Sequence, residues 1–547
     1  MKKFLLTLLF VVTFFSFSAV SASAAEKDTI RVGLRYGSSA LFSANLENAV
    51  GSGYAFGWYD SDRAFCYLGE TAETKISMTA AGNISVSGSG AYSEGADGSK
   101  VIGKWHVQLD DVFDSFAEAE EAAWDYEDAY PAYIADEFVV RIGSFTDEDE
   151  AWGLLEELGV DGDVVSAGRT GVMVTVTGTT RVLFEFDCQG ADSLAVLPDG
   201  LGDEAVTWFK GYKYPGGFEY GRVTGGNLNV VNVVDLEDYV KGVLPYEMGG
   251  GWPEAALQAQ AVCARTYACR NTKHLSANGF DVCNTTDCQV YNGRSGATDT
   301  TDDAVDATTG ECIYDRDGQL IEALYFSSDG GATEDSANVF GGETTYLVGK
   351  KDPYEALIDI PNYSYTVTYT PAQLTWVLQN SGYSIGNIKN VYVSEYTKVG
   401  NVLKVTFVDE RGGTLTLKGD KARYAFYSTT YNKNVRSMRF TINGGGTDSW
   451  YVNDGSHPLE ELDGVSVISG SGQISGYSGS RIYVITDRGV EQRGGGGGGS
   501  GEDGFVITGT GNGHNVGMSQ YGANAMAREG YDYEEILNFY YTDVTVR

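Results

Sequence analysis

The chain has 547 residues, 42% of them hydrophobic, and carries 75 acidic against 38 basic side chains for a formal net charge of -37. That length predicts about three or four domains' worth of chain with ample apolar material for packed cores. So acidic a surface excludes nucleic acid as a partner and repels anionic wall polymers. A neutral glycan, bound by stacking and hydrogen bonds on some of the 36 Tyr and 8 Trp, stays open, although strand and core usage explains most of those rings as well. Residues 1–25 start Met1, Lys2, Lys3, continue through an apolar run broken by Ser16 and Ser18, and end Ala22, Ser23, Ala24. This predicts a secretory signal peptide cleaved after Ala24, hence a secreted protein. The rest has no apolar stretch near the ~20 residues a spanning helix needs, so no membrane span is expected in the mature chain. Seven cysteines are an odd set, and at least one must be free, metal-bound or intermolecular.

From 26 to 106, short β runs (IRVGLRYG, YAFGWYD, KISMTA, NISVSG) separated by Gly, Ser and Asn predict a β-rich N-terminal domain without visible chemistry. Residues 107–200 read as an α/β region. An acidic helix over 113–126 is followed by the strand FVVRIGSF (138–145), a second acidic helix ending at Leu158, and the strand GVMVTVTG (171–178). The order strand, Ser-Phe, helix, strand resembles the SPOR module, which implies binding to septal glycan stripped of peptides. The stretch from His106 to Ala123 echoes that order as a weaker first copy. A structural prop of the same shape fits equally well.

Residues 218–224 and 228–234 predict a hairpin across Gly225 and Gly226, the second strand being the β-branched run Leu228, Val230, Val231, Val233, Val234. Asp235 stands at an N-cap position. Leu236, Tyr239, Val240, Val243 and Leu244 then share one helical face, and Pro245 is expected to end that helix. A second helix is expected from Pro253 to about Arg270, with Leu257, Ala261, Ala264 and Ala268 on a narrow face that permits close packing. Glu247 falls in the short linker between them, flanked by apolar residues. Partial burial would keep such a carboxyl protonated, as a general acid near neutral pH requires. On pattern alone, capping the next helix or pairing with Arg265 is the simpler explanation.

Downstream, Cys283 and Cys288 enclose four residues with His274 just upstream, a spacing that suits one metal ion or a disulfide. SSDGGATE (327–334) places two glycines among hydrogen-bonding side chains, either a cleft wall or a tight turn. Residues 363–442 add β pattern and a helix over 371–380. A glycine-rich stretch at about 444–503, with six glycines at 494–499, reads as loop or linker. GTGNGHNVGMSQYG (509–522) and two helical segments end the chain.

Leu236, Glu237, Asp238, Tyr239, Val240, then Glu247 followed by Met248, Trp252 followed by Pro253, and LQAQAVCARTY (257–267) resemble the core of the SpoIID/LytB family in order and spacing. SSDGGATE and the run from His514 through Gly522 fit the same family. Thr510, Asn512 and Asn515 stand where its members usually carry Arg, Trp and Gly. The resemblance implies an α+β, β-rich multidomain secreted protein with a SpoIID-like catalytic domain over 206–547. It implies a cell-wall location and a lytic transglycosylase, a lyase cutting the bond between N-acetylmuramic acid and N-acetylglucosamine in peptidoglycan, with Glu247 as the catalytic acid. Gln260, Arg265, Tyr267, Gln289, Tyr291, Ser327, Ser328, Glu334, His514, Ser519 and Gln520 become expected substrate contacts. His274, Cys283 and Cys288 become expected ligands of a structural zinc, with Asp287 where relatives often have His. Some relatives are described as amidase enhancers, so a wall-binding protein presenting substrate to a cell-wall amidase is the rival expectation. The remaining partner expectations are peptidoglycan glycan strands and a homodimer, with roles in sporulation or wall turnover.

Overall fold

Strand Thr29–Arg35 buries Ile30, Val32 and Leu34, alternate positions on one face. In the computed structural model it pairs antiparallel with Leu228–Asp235 and parallel with Val282–Cys283. A seven-stranded sheet results, in the order Val282–Cys283, Thr29–Arg35, Leu228–Asp235, Gly217–Arg222, Leu194–Pro198, Tyr54–Tyr59, Phe65–Thr71. The first strands of the chain thus lie inside the sheet that carries the helical region, and hydrogen bonding crosses the segment limits expected near 106 and 200. The structure describes residues 27–547 except 99, 201–203, 223–225 and most of 444–503, where only short strand pieces are placed. The expected signal peptide, Gly225 of the hairpin turn and the six-glycine run lie outside the described residues.

A ten-stranded sheet starts with Gly162–Ser166, Trp105–Leu109, Glu137–Phe145 and Ala129–Ile134. With helices α1 (Phe116–Ala123) and α2 (Glu148–Leu158), these strands complete a single βαββαβ unit in which the first and third strands are central. The strand and helix after His106 are therefore the first half of one unit and not a separate copy. Ser115 and Asp147 cap the helices by accepting backbone N–H groups, and Gly159 ends α2 at φ 63. Ala119, Ala123, Leu154 and Leu155 pack onto Val107, Val140 and Ile142.

Helix α3 (Leu236–Glu247) opens where Asp235 accepts the N–H groups of Glu237 and Asp238. It does not stop at Pro245. The proline forfeits one bond to the preceding turn, but the Met248 N–H closes on the Leu244 carbonyl at 2.8 Å, so Glu247 is the last helical residue and not part of a linker. Helix α4 (Glu254–Arg270) buries Leu257, Ala261, Ala264 and Ala268 completely. Both helices join the main core with strands of the seven-stranded sheet and with the C-terminal helices Gln520–Arg528 and Tyr533–Tyr540. Helix Pro371–Asn380 and the three-stranded sheet Ile388–Tyr396, Val402–Asp409, Thr414–Lys418 have their own core around Leu374, Val377, Val391, Val405 and Phe407. Most important for the site, Tyr325–Phe326 pairs in parallel with Met518–Ser519, which brings the double-glycine segment against the C-terminal motif. No described helix is long and apolar enough to cross a membrane.

Asp281 locks the N-terminal strand to this sheet. Its buried carboxylate accepts the Arg31 N–H (2.9 Å), Lys27 Nζ (2.9 Å), and Arg63 Nη1 (2.7 Å) and Nη2 (2.9 Å). Burial pushes its pKa up, but Arg63, Lys27 and the Arg31 amide outweigh burial and hold it below the usual carboxylate range. We expect Asp281→Ala to cost about 3 kcal/mol by stranding two cations, read as a fall in Tm. A depressed folded pKa gives stability above the ordinary carboxylate pKa of about 4 and loses it as pH falls further, so the gap between wild type and variant should close in acid.

Candidate active site

Glu247 ends α3 on the side where the C-terminal motif arrives. Gln520, the first residue of helix Gln520–Arg528, places its Nε2 3.4 Å from Glu247 Oε2, 3.4 Å from the Glu247 carbonyl and 3.3 Å from Gln260 Oε1 on α4. The Tyr325 hydroxyl and the Val290 N–H also bond the Glu247 carboxyl. Behind Tyr325 the network continues: Gln289 Nε2 donates to the Tyr325 oxygen (3.1 Å), and Gln289 Oε1 accepts from the Tyr239 hydroxyl (3.0 Å). Trp252, between the helices, packs on Tyr521 with ring centroids 5.0 Å apart, setting two half-buried rings beside the carboxyl-bearing turn.

Two influences oppose each other at Glu247. Burial raises its pKa, while the donors Tyr325, Gln520 and Val290 lower it, and burial wins. The carboxyl therefore keeps its proton to higher pH than an exposed glutamate, and the same three donors are in place to stabilise the carboxylate once the proton leaves. Such a group can act as acid and then as base.

Of the expected contacts, Gln260, Gln289 and Gln520 gather around Glu247. Ser327 lies one strand-end away, its carbonyl accepting the Tyr521 N–H at 3.0 Å. The others have their polar groups engaged by partners within the protein. Arg265 is fully buried and held by Glu237 through Nε (2.7 Å) and Nη2 (2.6 Å), with the Glu311 carbonyl on Nη1, so it braces α4 against α3 and does not pair with Glu247. Tyr267 bonds Cys288. Tyr291 is buried against Tyr214 and Tyr239 and donates to Asn232 Oδ1 at 2.8 Å. Glu334 is enclosed by Asn338, Thr397 and Asn401, all of which donate to it. His514 sits between Phe326 and Phe340, and its Nδ1 accepts the Val516 N–H at 3.1 Å. Burial, helped by Arg423, drops its pKa to about 4, so it is neutral at ordinary pH.

Ser328 and Ser519 serve a carboxylate that no sequence motif singles out. Glu355 accepts Ser328 Oγ (3.0 Å), Ser519 Oγ (2.6 Å), and the N–H groups of Asp329 (2.7 Å) and Gly330 (2.9 Å), pinning the double-glycine turn to the C-terminal motif. Tyr325 was likewise missed, although its place two residues before Ser327 in a short aromatic strand was a usable signal. Val290 could not have been found, since only its backbone acts.

The structure brings His274, Cys283 and Cys288 together and adds Asp287, with ligand atoms of the four within 4.8 Å of one another. Two thiols, an imidazole and a carboxylate are a donor set suited to tetrahedral zinc. His274 Nε2 lies 3.4 Å from Asp287 Oδ2, on the same side as the two thiols. A hydrogen bond between the two thiols lowers the pKa of Cys283 and raises that of Cys288. The donors fit the ion, and the cluster immediately precedes Gln289 and Val290.

Residues 224–314 match the family model SpoIID, described as stage II sporulation protein. Over 318 residues the chain is 31% identical to an uncharacterized protein of Brachyspira hyodysenteriae, spanning 58% of this chain and 68% of that one. It is 30% identical over 321 residues to the amidase enhancer of Bacillus subtilis, spanning 56% of this chain but only 40% of that longer protein. It is 26% identical over 330 residues to stage II sporulation protein D of Bacillus subtilis, spanning 58% of this chain and 75% of that one.

The raised pKa of Glu247 has a thermodynamic consequence. A group that binds its proton more tightly when folded adds stability below the unfolded pKa and loses it as pH rises through the folded one. Glu247→Gln should therefore melt higher than wild type at neutral pH, and the two curves should converge near pH ~4.

Proposed function

The chain belongs to the SpoIID family, and from that premise we propose that it acts on the cell wall as a peptidoglycan lytic transglycosylase with Glu247 as its general acid and base. Protonated Glu247 gives its proton to the glycosidic oxygen leaving the muramic C1. The resulting carboxylate then takes the proton of the muramic C6 hydroxyl as that oxygen bonds to C1. No water enters, the two products carry an anhydro end and a new hydroxyl, and Glu247 regains its proton. An intramolecular nucleophile is already in place, so one carboxyl suffices where a hydrolase would need two at a set separation. Tyr325, Gln520 and the Val290 N–H hold the carboxylate between the two proton transfers. Gln260 orients Gln520, and Gln289 orients Tyr325.

The single observation carrying this reading is convergence. Segments from α3, the 289–290 loop, the Tyr325 strand and residue 520 meet on one partly covered carboxyl that favours its proton. The relative named amidase enhancer supports a second reading, in which the cleft only binds wall and presents it to an amidase. We also read the βαββαβ unit as a glycan-binding accessory, on account of the Trp124 ring, 77% exposed at the end of α1.

Incubation of the purified chain with peptide-free glycan separates these readings. Mass spectrometry should find anhydro-ended fragments, reduced on the order of 1000-fold or more in Glu247→Ala. Pelleting with glycan and no cleavage by wild type would leave only the presenting role.

For the four-ligand cluster we propose a structural zinc held by His274, Cys283, Asp287 and Cys288. Bound there, the ion supplies fixed geometry to the loop that delivers Gln289 and Val290, and no Lewis acidity to the glycosidic bond. Cys283→Ser should lower zinc from about one equivalent per chain to near none by elemental analysis, and should reduce cleavage without touching Glu247 itself.

A further inference from the structure

Four of the seven cysteines form two contacting pairs. One is the Cys283 and Cys288 pair, which shares its surroundings with His274 and Asp287. The other is Cys269 with Cys312, whose thiols are within hydrogen-bonding contact and have no imidazole or carboxylate gathered about them among the described metal-capable groups. Cys269 lies in the last turn of α4, and Cys312 immediately precedes strand Ile313–Tyr314. Both are core residues, 8% and 1% exposed. Their approach is fixed by the backbone: Thr266 Oγ1, one turn before Cys269, accepts the Ile313 N–H at 3.0 Å, and Cys312 pairs in both directions with Arg547 (2.9 and 3.1 Å). Two side chains so placed are one oxidation from a covalent bond.

We propose that Cys269 and Cys312 form a disulfide when the chain folds in an oxidising compartment, tying the end of α4 to the C-terminal strand pair. The oxidant is a small or protein disulfide. The Cys269 thiolate attacks one of its sulfurs, forming a mixed disulfide and expelling a thiolate. Cys312 then loses its proton and attacks the Cys269 sulfur, expelling the second thiolate. Two protein thiols are oxidised by two electrons, and the oxidant's cystine leaves as two thiols. Cys269 is the natural attacker, since the Cys312 hydrogen bond lowers its pKa. The bond closes a loop of roughly 40 residues, a length at which cross-linking removes much unfolded-chain entropy. That loop contains His274, Cys283, Asp287 and Cys288 as well as Gln289 and Val290.

The full chain, secreted into medium or refolded with oxidised and reduced glutathione, would be denatured, alkylated without reduction and digested. The expected result is a peptide pair linked through Cys269 and Cys312, lighter than the two separate peptides by two hydrogens. Dithiothreitol should lower the Tm of wild type by about 5 °C or more and leave Cys269→Ala unmoved. Cys312→Ala repeats that comparison should the first variant not fold. Alkylation of both residues in the secreted chain denatured without reduction, or a link from either to another cysteine, would overturn the proposal.

Discussion

Taking a carboxyl out of water penalises its charged form, and donors aimed at it reward that form; Glu247 is subject to both at once. Burial alone would give an acid that cannot return as a base, while donors alone would give a carboxylate with no proton to offer. The balance depends on where α3 stops. Because the helix runs through Pro245 for one more turn, Glu247 is fixed by helical geometry and not by a mobile linker, and its carboxyl meets partners arriving from three remote segments. A helix ending at residue 244 would leave the position of that carboxyl to a glycine-rich turn.

Those partners are held by buried charge. Glu355 gathers two backbone N–H groups and two serine hydroxyls, and its neighbours Asp329 and Asp352 bring their ligand atoms within 4.8 Å of one another and of Glu355. Three anions at that spacing would repel strongly in a dry interior. Burial, then the charges of Glu355 and Asp352, drive the Asp329 pKa well up, and burial also raises Glu355, so protons relieve the crowd. Asn515 closes the same knot. Its φ of 65 is a left-handed conformation that glycine adopts freely, and Asn is among the few other residues that tolerate it. Here the amide spans Asp329 O (2.6 Å), Ala332 O (3.0 Å) and the Met438 N–H (3.0 Å), so the asparagine side chain adds three bonds at one strained position.

What could be read in the sequence was local. The cap at Asp235, the apolar face of α3 and the small-residue face of α4 are short-range patterns, and the structure contains each. The sheet pairings are not short-range. Thr29–Arg35 meets Leu228–Asp235 across some two hundred residues, and no periodicity within either strand records its partner. The same limit explains the βαββαβ unit, whose two halves look alike in sequence because each is strand and helix, while only the pairing of Trp105–Leu109 with Glu137–Phe145 makes them one sheet. Among site residues, polar side chains inside recognisable motifs were visible but not their direction. Arg265 and Glu334 look like ligand contacts in one dimension and turn out to be saturated by Glu237 and by Thr397 and Asn401.

The segment between α4 and Cys312 shows why cross-links matter to this site. From the end of α4 to Val290 it holds only the two-residue strand Val282–Cys283 and the four-residue helix Leu275–Asn278, the longer helix Asp299–Asp306 coming after. Such a segment has little regular hydrogen bonding with which to resist fluctuation. Yet Gln289 and Val290 hold hydrogen-bond distance to Tyr325 and Glu247, and in the proposed reaction an error of about 1 Å there would be costly. The fold answers with point constraints near that segment: Asp281 bound to two cations and a backbone amide, Arg294 bridging Asp238 and Asp302, the grouping of His274, Cys283, Asp287 and Cys288, and two thiols in contact at its ends. Precision at the carboxyl is thereby supplied by charge and sulfur where secondary structure does not supply it.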